Sequence, residues 1–528
     1  MNHVNYLHKV FNILETHMLH LPRRHLLTLL LAALPMVSFA APPKGGAANL
    51  AMIGEPQSLD PMASTADLVG TIMQHVYETL YTFDSKWNVT PMLADGMPKV
   101  SVDGLTYAVN IRKGVKLHSG RDLDAQDVVA SLKRWMEMAP RGKSVAKDTV
   151  SLEAKGSHAI EWKFNAPNAS LLAQLALPSG MAAIMAKESI AAPLSSFVGT
   201  GPYKFKERRP DQFVILSRFD TYSARKEAPN GYGGKREALL DELRFTPVPN
   251  ANTRVEGALA GQFHFADQLP TEALARVEKA GPSVVPILTP SFGFPYMVFN
   301  TKEGVMANQG IRQAIQIAIG EGEMMAAAYG DKRFFIAEGN HFPQGTPFYS
   351  TAGTDQYNKQ DAKRAKEMAD KAGYKGETIR LLTSRQYEFH HTMVQVMAEQ
   401  LRAAGFKPEM QVVDWATLVQ RRGDSKVWDI YMTHSGQFPE PILSPPQLGE
   451  CAPGWWSSAA KAKALGDFNQ QPDPSKRAQL WGAVQQVVYN EVPYINIGKF
   501  SSLSSRSNKL EGYIPATWPF FWNTGLSK

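Results

Sequence analysis

The sequence predicts an α/β protein of two or three packed lobes. Its 528 residues exceed the usual size of one domain by a factor of roughly three. Its 44% apolar and 20% charged residues lie near the globular average. The third observation is a β-α-β-α-β alternation between Glu377 and His434, which implies a mostly parallel sheet with helices on both faces.

Element by element, Asn49–Gly54 reads as a short apolar strand, and Glu55–Pro61 as a turn bracketed by prolines. Thr71–Tyr81 carries helical spacing at Ile72, Val76 and Leu80. Thr106–Ile111 alternates as a strand after the Asp103-Gly104 turn. Asp124 is an N-cap with Asp127 at the third helical position, ahead of an apolar stripe of Val128, Leu132, Trp135 and Met136. His158–Phe164, Phe205–Arg208 and Gln212–Arg218 alternate like strands of one antiparallel or mixed sheet, and Asn250–Ala260 reads as a surface helix. Asp361–Ala372 is a helix stopped by Gly373. The alternating region follows: strand Thr378–Thr383, helix His391–Ala404 stopped by Gly405, strand Lys407–Val413, short helix Trp415–Arg422, strand Trp428–Thr433.

The amino terminus reads as a secretory signal. Arg23-Arg24 precede an apolar run from Leu26 to Leu34, and Ser38-Phe39-Ala40 offer small residues at a cleavage site after Ala40. The run is shorter than the ~20 residues a membrane span needs, so a cleaved protein exported to the periplasm is expected. The basic pair also resembles a twin-arginine signal, although it equally suits the general route, which we favour. Met18 is the expected start, and no cysteine stands at the cleavage site to carry a lipid. The net charge of +7 is modest and contains no basic run of five or six residues, so nucleic-acid binding is not expected. Cys451, the single cysteine, rules out an intrachain disulfide and reads as a buried inert thiol.

Motifs of exported enzymes are absent: Gly-x-Ser-x-Gly, His-Glu-x-x-His, phosphate-cradling glycine loops and Cys/His metal spacings. Ser223-Ala224-Arg225-Lys226 and Ser458-Ala459-Ala460-Lys461 fit Ser-x-x-Lys without the Lys-Thr-Gly that would support it. His390-His391 lack a third ligand at useful spacing. No catalytic residue, cofactor or metal is expected. Ligands of open α/β sheets sit beyond the carboxyl ends of the strands. Those ends carry Ser384-Arg385-Gln386-Tyr387, Asp414-Trp415 and His434-Ser435-Gly436-Gln437-Phe438. Arg385 is the candidate partner for a ligand carboxylate, and Tyr387, Trp415 and Phe438 are candidate walls.

Several motifs resemble the family 5 solute-binding proteins of the peptide/nickel/opine class of ATP-driven importers. They are Glu55-Pro56-Gln57-Ser58-Leu59-Asp60-Pro61, Tyr77-Glu78-Thr79-Leu80, Pro91-Met92-Leu93-Ala94 and Ile111-Arg112-Lys113-Gly114 through Gly120. Ala125–Ser131, Gly199–Phe205, Phe299-Asn300-Thr301 and Ile311–Ile315 continue the match in order. The resemblance implies a periplasmic binding protein-like fold: two α/β lobes with a hinge, plus an extra subdomain inserted in the first lobe. The first lobe would comprise 47–80, 198–292 and 495–528, the extra subdomain 81–197 and the second lobe 293–494, with hinge crossings at Phe292–Tyr296 and Pro493–Ile497. It implies a monomeric solute-binding component of an ABC importer that takes a small-molecule or short-peptide ligand to a permease/ATPase complex in the inner membrane. An exported hydrolase, or a periplasmic chaperone or sensor on the same fold, is the rival reading.

The resemblance further implies ligand-facing positions at Ser179 and Met181, at Phe294 in the first crossing, at Ser435 and Gln437, and at Trp455 and Trp456. Peptide-binding members hold the ligand's amine with an acid in an Asp-Tyr-Pro-Asp-like loop. Here that loop reads Gln437-Phe438-Pro439-Glu440-Pro441, so the anchor is missing unless Glu440 replaces it. A small or mid-sized organic ligand stacked on aromatics is the expectation.

Overall fold

One twelve-stranded sheet organises the chain. The computed structural model describes residues 42–385, 387–449 and 452–527; the expected signal segment and Cys451 lie outside them. From one edge the sheet runs 407–413, 378–384, 430–436, 284–299, 499–507, 265–269, 47–52, 242–247, 213–218 and 203–209, with 494–496 and 335–336 pairing onto its middle. Both ends contain parallel neighbours. Ala47–Met52 lies parallel to Glu242–Pro247 and Phe265–Leu269, and Thr378–Ser384 lies parallel to Lys407–Val413 and Ile430–Gly436. Ala47–Met52 is central and mostly buried, so it reads as an apolar run, Ala-Asn-Leu-Ala-Met, whereas Lys407–Val413 forms the sheet edge and keeps polar, exposed positions.

The two ends are joined by one long strand. Val284–Phe299 pairs over Val284–Thr289 with Ser502–Ser507 and over Gly293–Phe299 with Ile430–Gly436, its register shifting between Thr289 and Gly293. Ser291 takes φ 49° within the shift. Only glycine fits at 293, where a Cβ would lie 2.5 Å from both the Ser435 carbonyl oxygen and Phe500 Cζ. Apolar residues gather on either side of this strand: Leu50, Tyr77, Trp135, Phe245 and Trp522 in one core, Met297, Ile315, Met393 and Leu401 in another, and Tyr296, Trp428 and Trp481 in a third.

The predicted β-α-β-α-β order is present, with helices Glu388–Ala403 and Trp415–Arg421 and Gly405 at φ 82° ending the first, but the mostly parallel sheet expected from it is not: its three parallel strands join a sheet whose other pairings are mainly antiparallel. The cap at Asp124 is a full capping box: its side chain accepts from the Gln126 and Asp127 amides, while Asp127 accepts from the Asp124 amide.

Three further readings are corrected. The helix expected over Thr71–Tyr81 spans Asp67–Met73, and Tyr81–Phe83 is a strand. The carbonyls beyond Met73 have distant partners: His75 accepts from the Tyr203 amide and Val76 from Gly201 (3.0 Å each), and Glu78 from Ile184 (2.9 Å). These bonds stop the helix despite its apolar period. The strands 159–164 and 203–218 belong to different sheets, the former to a separate antiparallel sheet of Lys99–Val100, Thr106–Asn110, Ala159–Phe164 and Thr149–Ala154. Helix Ala251–Leu259 is not merely superficial, because Arg254 is buried and donates to the carbonyls of Val248, Pro249, Asp267 and Gln268.

Candidate functional site

The parallel strands Lys407–Val413, Thr378–Ser384 and Ile430–Gly436 run in register and release their following residues at one sheet edge. Tyr387 is the centre of what gathers there. Its ring lies 4.7 Å from His434, 4.8 Å from Trp415 and 5.1 Å from His390, edge-on to the first two. His434 Nδ1 and His390 Nε2 share a hydrogen bond of 3.1 Å, one ring donating and the other accepting. Burial favours the neutral imidazoles, pulling His390 well below its ordinary value and His434 to about 4. Phe389 carries the aromatic surface on to Tyr329 at 5.7 Å and to Phe500 at 5.9 Å.

Arg385 is exposed and donates from Nε to His391 Nε2 at 3.3 Å. Trp415 and Tyr387 are half-buried, and Trp415 also packs against the core around Tyr296 and Trp428. Gln386 lies outside the described residues. His390 and His391 do not form a metal cluster: among the described residues no group of three or more His, Cys, Asp or Glu is placed to hold an ion.

The loop after strand Ile430–Gly436 faces the aromatic carboxyl end of the chain. Phe438 lies 6.2 Å from Trp518, whose indole N–H donates to Asp67 Oδ1 at 2.7 Å. Gln437 donates its amide to the Phe292 carbonyl at 3.1 Å and keeps a buried side-chain oxygen without a partner. Ser435 Oγ bonds Ser444 Oγ at 2.7 Å. Next along the loop, Glu440 and Arg477 border a cavity of about 240 Å³ that Phe83, Trp87, Met97 and Phe348 also line.

The remaining expected positions are spread out. Ser179 is buried and donates to the Thr65 carbonyl at 2.7 Å, Met181 is buried in the core, and the carbonyl of Gly180 between them accepts from Trp135 Nε1 at 3.0 Å. Phe294 packs in the core beside Tyr296. Trp455 stacks on Trp428 at 5.6 Å, while the nearly buried Trp456 donates to Glu491 Oε2 at 2.6 Å. These two tryptophans line a second, open cavity of about 680 Å³ with Lys461 and Leu465, away from the strand ends. Both Ser-x-x-Lys matches are structural: Ser223 Oγ donates to the Gly114 carbonyl, and Ser458 caps the helix Ala459–Gln470.

Trp518 beside Phe438 and Trp87 in the cavity wall were not singled out in the sequence. The Trp518–Trp522 run, with four aromatics in five residues, was the available signal. Among the described residues no helix is long and apolar enough to cross a membrane.

The family model for bacterial extracellular solute-binding proteins, family 5 Middle, matches residues 88–451. A probable peptide ABC transporter periplasmic-binding protein, y4tO of Sinorhizobium fredii, is 26% identical over 483 residues, 88% of this chain and 90% of that one. The oligopeptide-binding protein AppA of Bacillus subtilis is 25% identical over 507 residues, covering 90% of each. Among solved structures, the substrate-binding protein CtaP of Listeria monocytogenes aligns with TM-score 0.78 at 18% identity, over 92% of this chain and all of that one. The Helicobacter pylori periplasmic binding protein DppA, in complex with peptide STSA, aligns with TM-score 0.71 at 22% identity, over 92% and 99%.

Proposed function

The chain belongs to the bacterial extracellular solute-binding proteins of family 5, and on that premise we propose that it captures its solute between two lobes for an ABC permease/ATPase complex in the inner membrane. The lobes proposed are 47–80 with 198–292 and 495–528, and 293–494. Residues 81–197 form the extra subdomain, and the crossings Phe292–Tyr296 and Pro493–Ile497 form the hinge. The protein acts as an exported monomer in the periplasm and binds without turnover.

The observation that carries the ligand reading is the pair of aromatic groups at the strand ends, Tyr387 with Trp415 and, in the loop after the strand Ile430–Gly436, Phe438 beside Trp518. Flat apolar faces with a few polar groups suit a small or mid-sized organic solute or a short peptide. A sequence-independent grip on a peptide amine is not favoured, because Glu440 of the anchor loop is committed to Arg477.

A melting screen over oligopeptides, opines, sugars, aromatic acids and nickel complexes tests this reading. A ligand that binds only the folded state stabilises it by about 2.7 kcal/mol at a hundredfold excess over Kd. Strong shifts by peptides of many sequences would overturn the argument from the anchor loop. Turnover of an ester, amide or glycoside, abolished by a single substitution, would overturn the binding reading itself.

A further inference from the structure

Buried arginines in this molecule are paired. Arg134 meets Asp60, Arg477 meets Glu440, and Arg254 and Arg312 each donate to several carbonyls. Arg141, itself half-buried, differs from them. Among the described residues it alone among the arginines has buried side-chain nitrogens, Nε and Nη2, without a hydrogen-bond partner. A guanidinium presents five donors in a planar fork, and leaving such donors buried and unmade is costly.

The surroundings shape a place for it. Arg141 follows Pro140 in the first turn of the helix Pro140–Asp148. Its Nη2 lies 2.9 Å from where a Cβ on Gly180 would stand, so any side chain at 180 would displace it. Gly180 has φ 57°, and its carbonyl is held by Trp135 Nε1. The neighbouring acid, Asp67, does not reach ion-pair distance: its Oδ1 is occupied by the Trp518 indole, which in turn faces Phe438 from the strand-end loop. Asp67 is exposed at the surface beside this group, and desolvation by the protein around it raises its carboxyl. Desolvation lowers Arg141 to about 10, which leaves it charged at neutral pH.

We propose that Arg141, not Arg385, is the group that receives a carboxylate of the transported solute, and that the solute is therefore a carboxylate-bearing molecule lying between Gly180 and the Trp518–Phe438 pair. Two parallel N–H donors match a carboxylate's two oxygens. Arg385, by contrast, is exposed and already donates to His391. The proposal rests on the solute-binding reading above and names the chemistry of its ligand.

The test uses the mature protein, Arg141→Met and Arg141→Lys. The melting temperature of each is measured alone and with succinate, citrate, 4-hydroxybenzoate and the dipeptide Met-Leu, each paired with its amide. Calorimetry follows for any probe that shifts the wild type. Relief of an unpaired buried charge is expected to raise the melting temperature of ligand-free Arg141→Met. Affinity for the acid is expected to fall about 10- to 100-fold in Arg141→Met, with the amide weak on wild type and unaffected by the change. A fall in the ligand-free melting temperature, or equal losses for acid and amide, overturns the proposal. If only uncharged or cationic solutes from the wider screen bind, the proposal falls and the solute-binding reading stands. If no solute of any kind binds, both fall.

Discussion

Glu440 and Arg477 form a two-pronged ion pair, Oε2 accepting from Nη1 at 2.7 Å and Oε1 from Nη2 at 2.6 Å, with both side chains buried. The Arg477 guanidinium also lies 4.1 Å over the Phe468 ring. The acid of the Gln437–Pro441 loop is thus committed to a cation of its own chain. Removing one member leaves the other charge buried alone, so Arg477→Met is expected to lower unfolding free energy by about 3–5 kcal/mol in urea titration. Glu440→Gln is expected to leave the affinity of any ligand's amine unchanged within a factor of about two. A loss of tenfold or more would return Glu440 to the binding site.

Trp415 touches Tyr387 edge-on and lies tilted over His390 and His434 while part of its surface stays exposed. Trp415→Ala is expected to weaken ligand binding by about 1–3 kcal/mol through lost aromatic burial, with most of the folding stability kept. The control is Trp428, fully buried against Tyr431 and Trp455, whose truncation should cost about 3–5 kcal/mol of stability. Unchanged affinity together with a large fall in stability for Trp415→Ala would make it a core residue.

Acid should loosen the fold. Burial holds His75 and His341 neutral down to about 3, and His118 and His434 to about 4. Imidazoles of the unfolded chain take protons near 6.5. Each histidine therefore contributes stability that is complete above that pH and is lost as pH falls, by about 1.4 kcal/mol per unit. Burial holds Asp267 up to about 6 and Glu321 up to about 8, and these two act oppositely, losing their contribution as pH rises. Four histidines outweigh two acids between pH 6 and 4.5, so the urea midpoint is expected to drop across that interval. A flat midpoint would contradict the neutral assignment.

Gly293 passes where the long strand changes register, against the Ser435 carbonyl and the Phe500 ring. Gly293→Ala is expected to cost about 1–3 kcal/mol by overpacking, read as a fall in the denaturant midpoint with an unchanged slope. A neutral substitution would show that Phe500 swings clear.

How much of this was legible in the residues depends on the range of the interaction that each pattern encodes. Helix Glu388–Ala403 and its flanking strands were legible because Met393, Met397 and Leu401 repeat at helical spacing and Gly405 ends the run. The Asp124–Asp127 capping box lies within four residues and was visible for the same reason. The segment after Met73 was misread because its carbonyls bond Gly201, Tyr203 and Ile184, more than a hundred residues away, and no local period records that.

The same division runs through the site. The residue order alone determined the α/β class, the strand ends and the motif series that resembles family 5, since all three rest on short-range pattern. Only the tertiary structure decided how the charges are used: Glu440 on Arg477 37 residues later, Arg385 on His391, and Arg141 with Nε and Nη2 left without a hydrogen-bond partner among the described residues. A single long-range contact leaves no periodic trace in a sequence, while its energy depends on burial and on two groups meeting within hydrogen-bond reach.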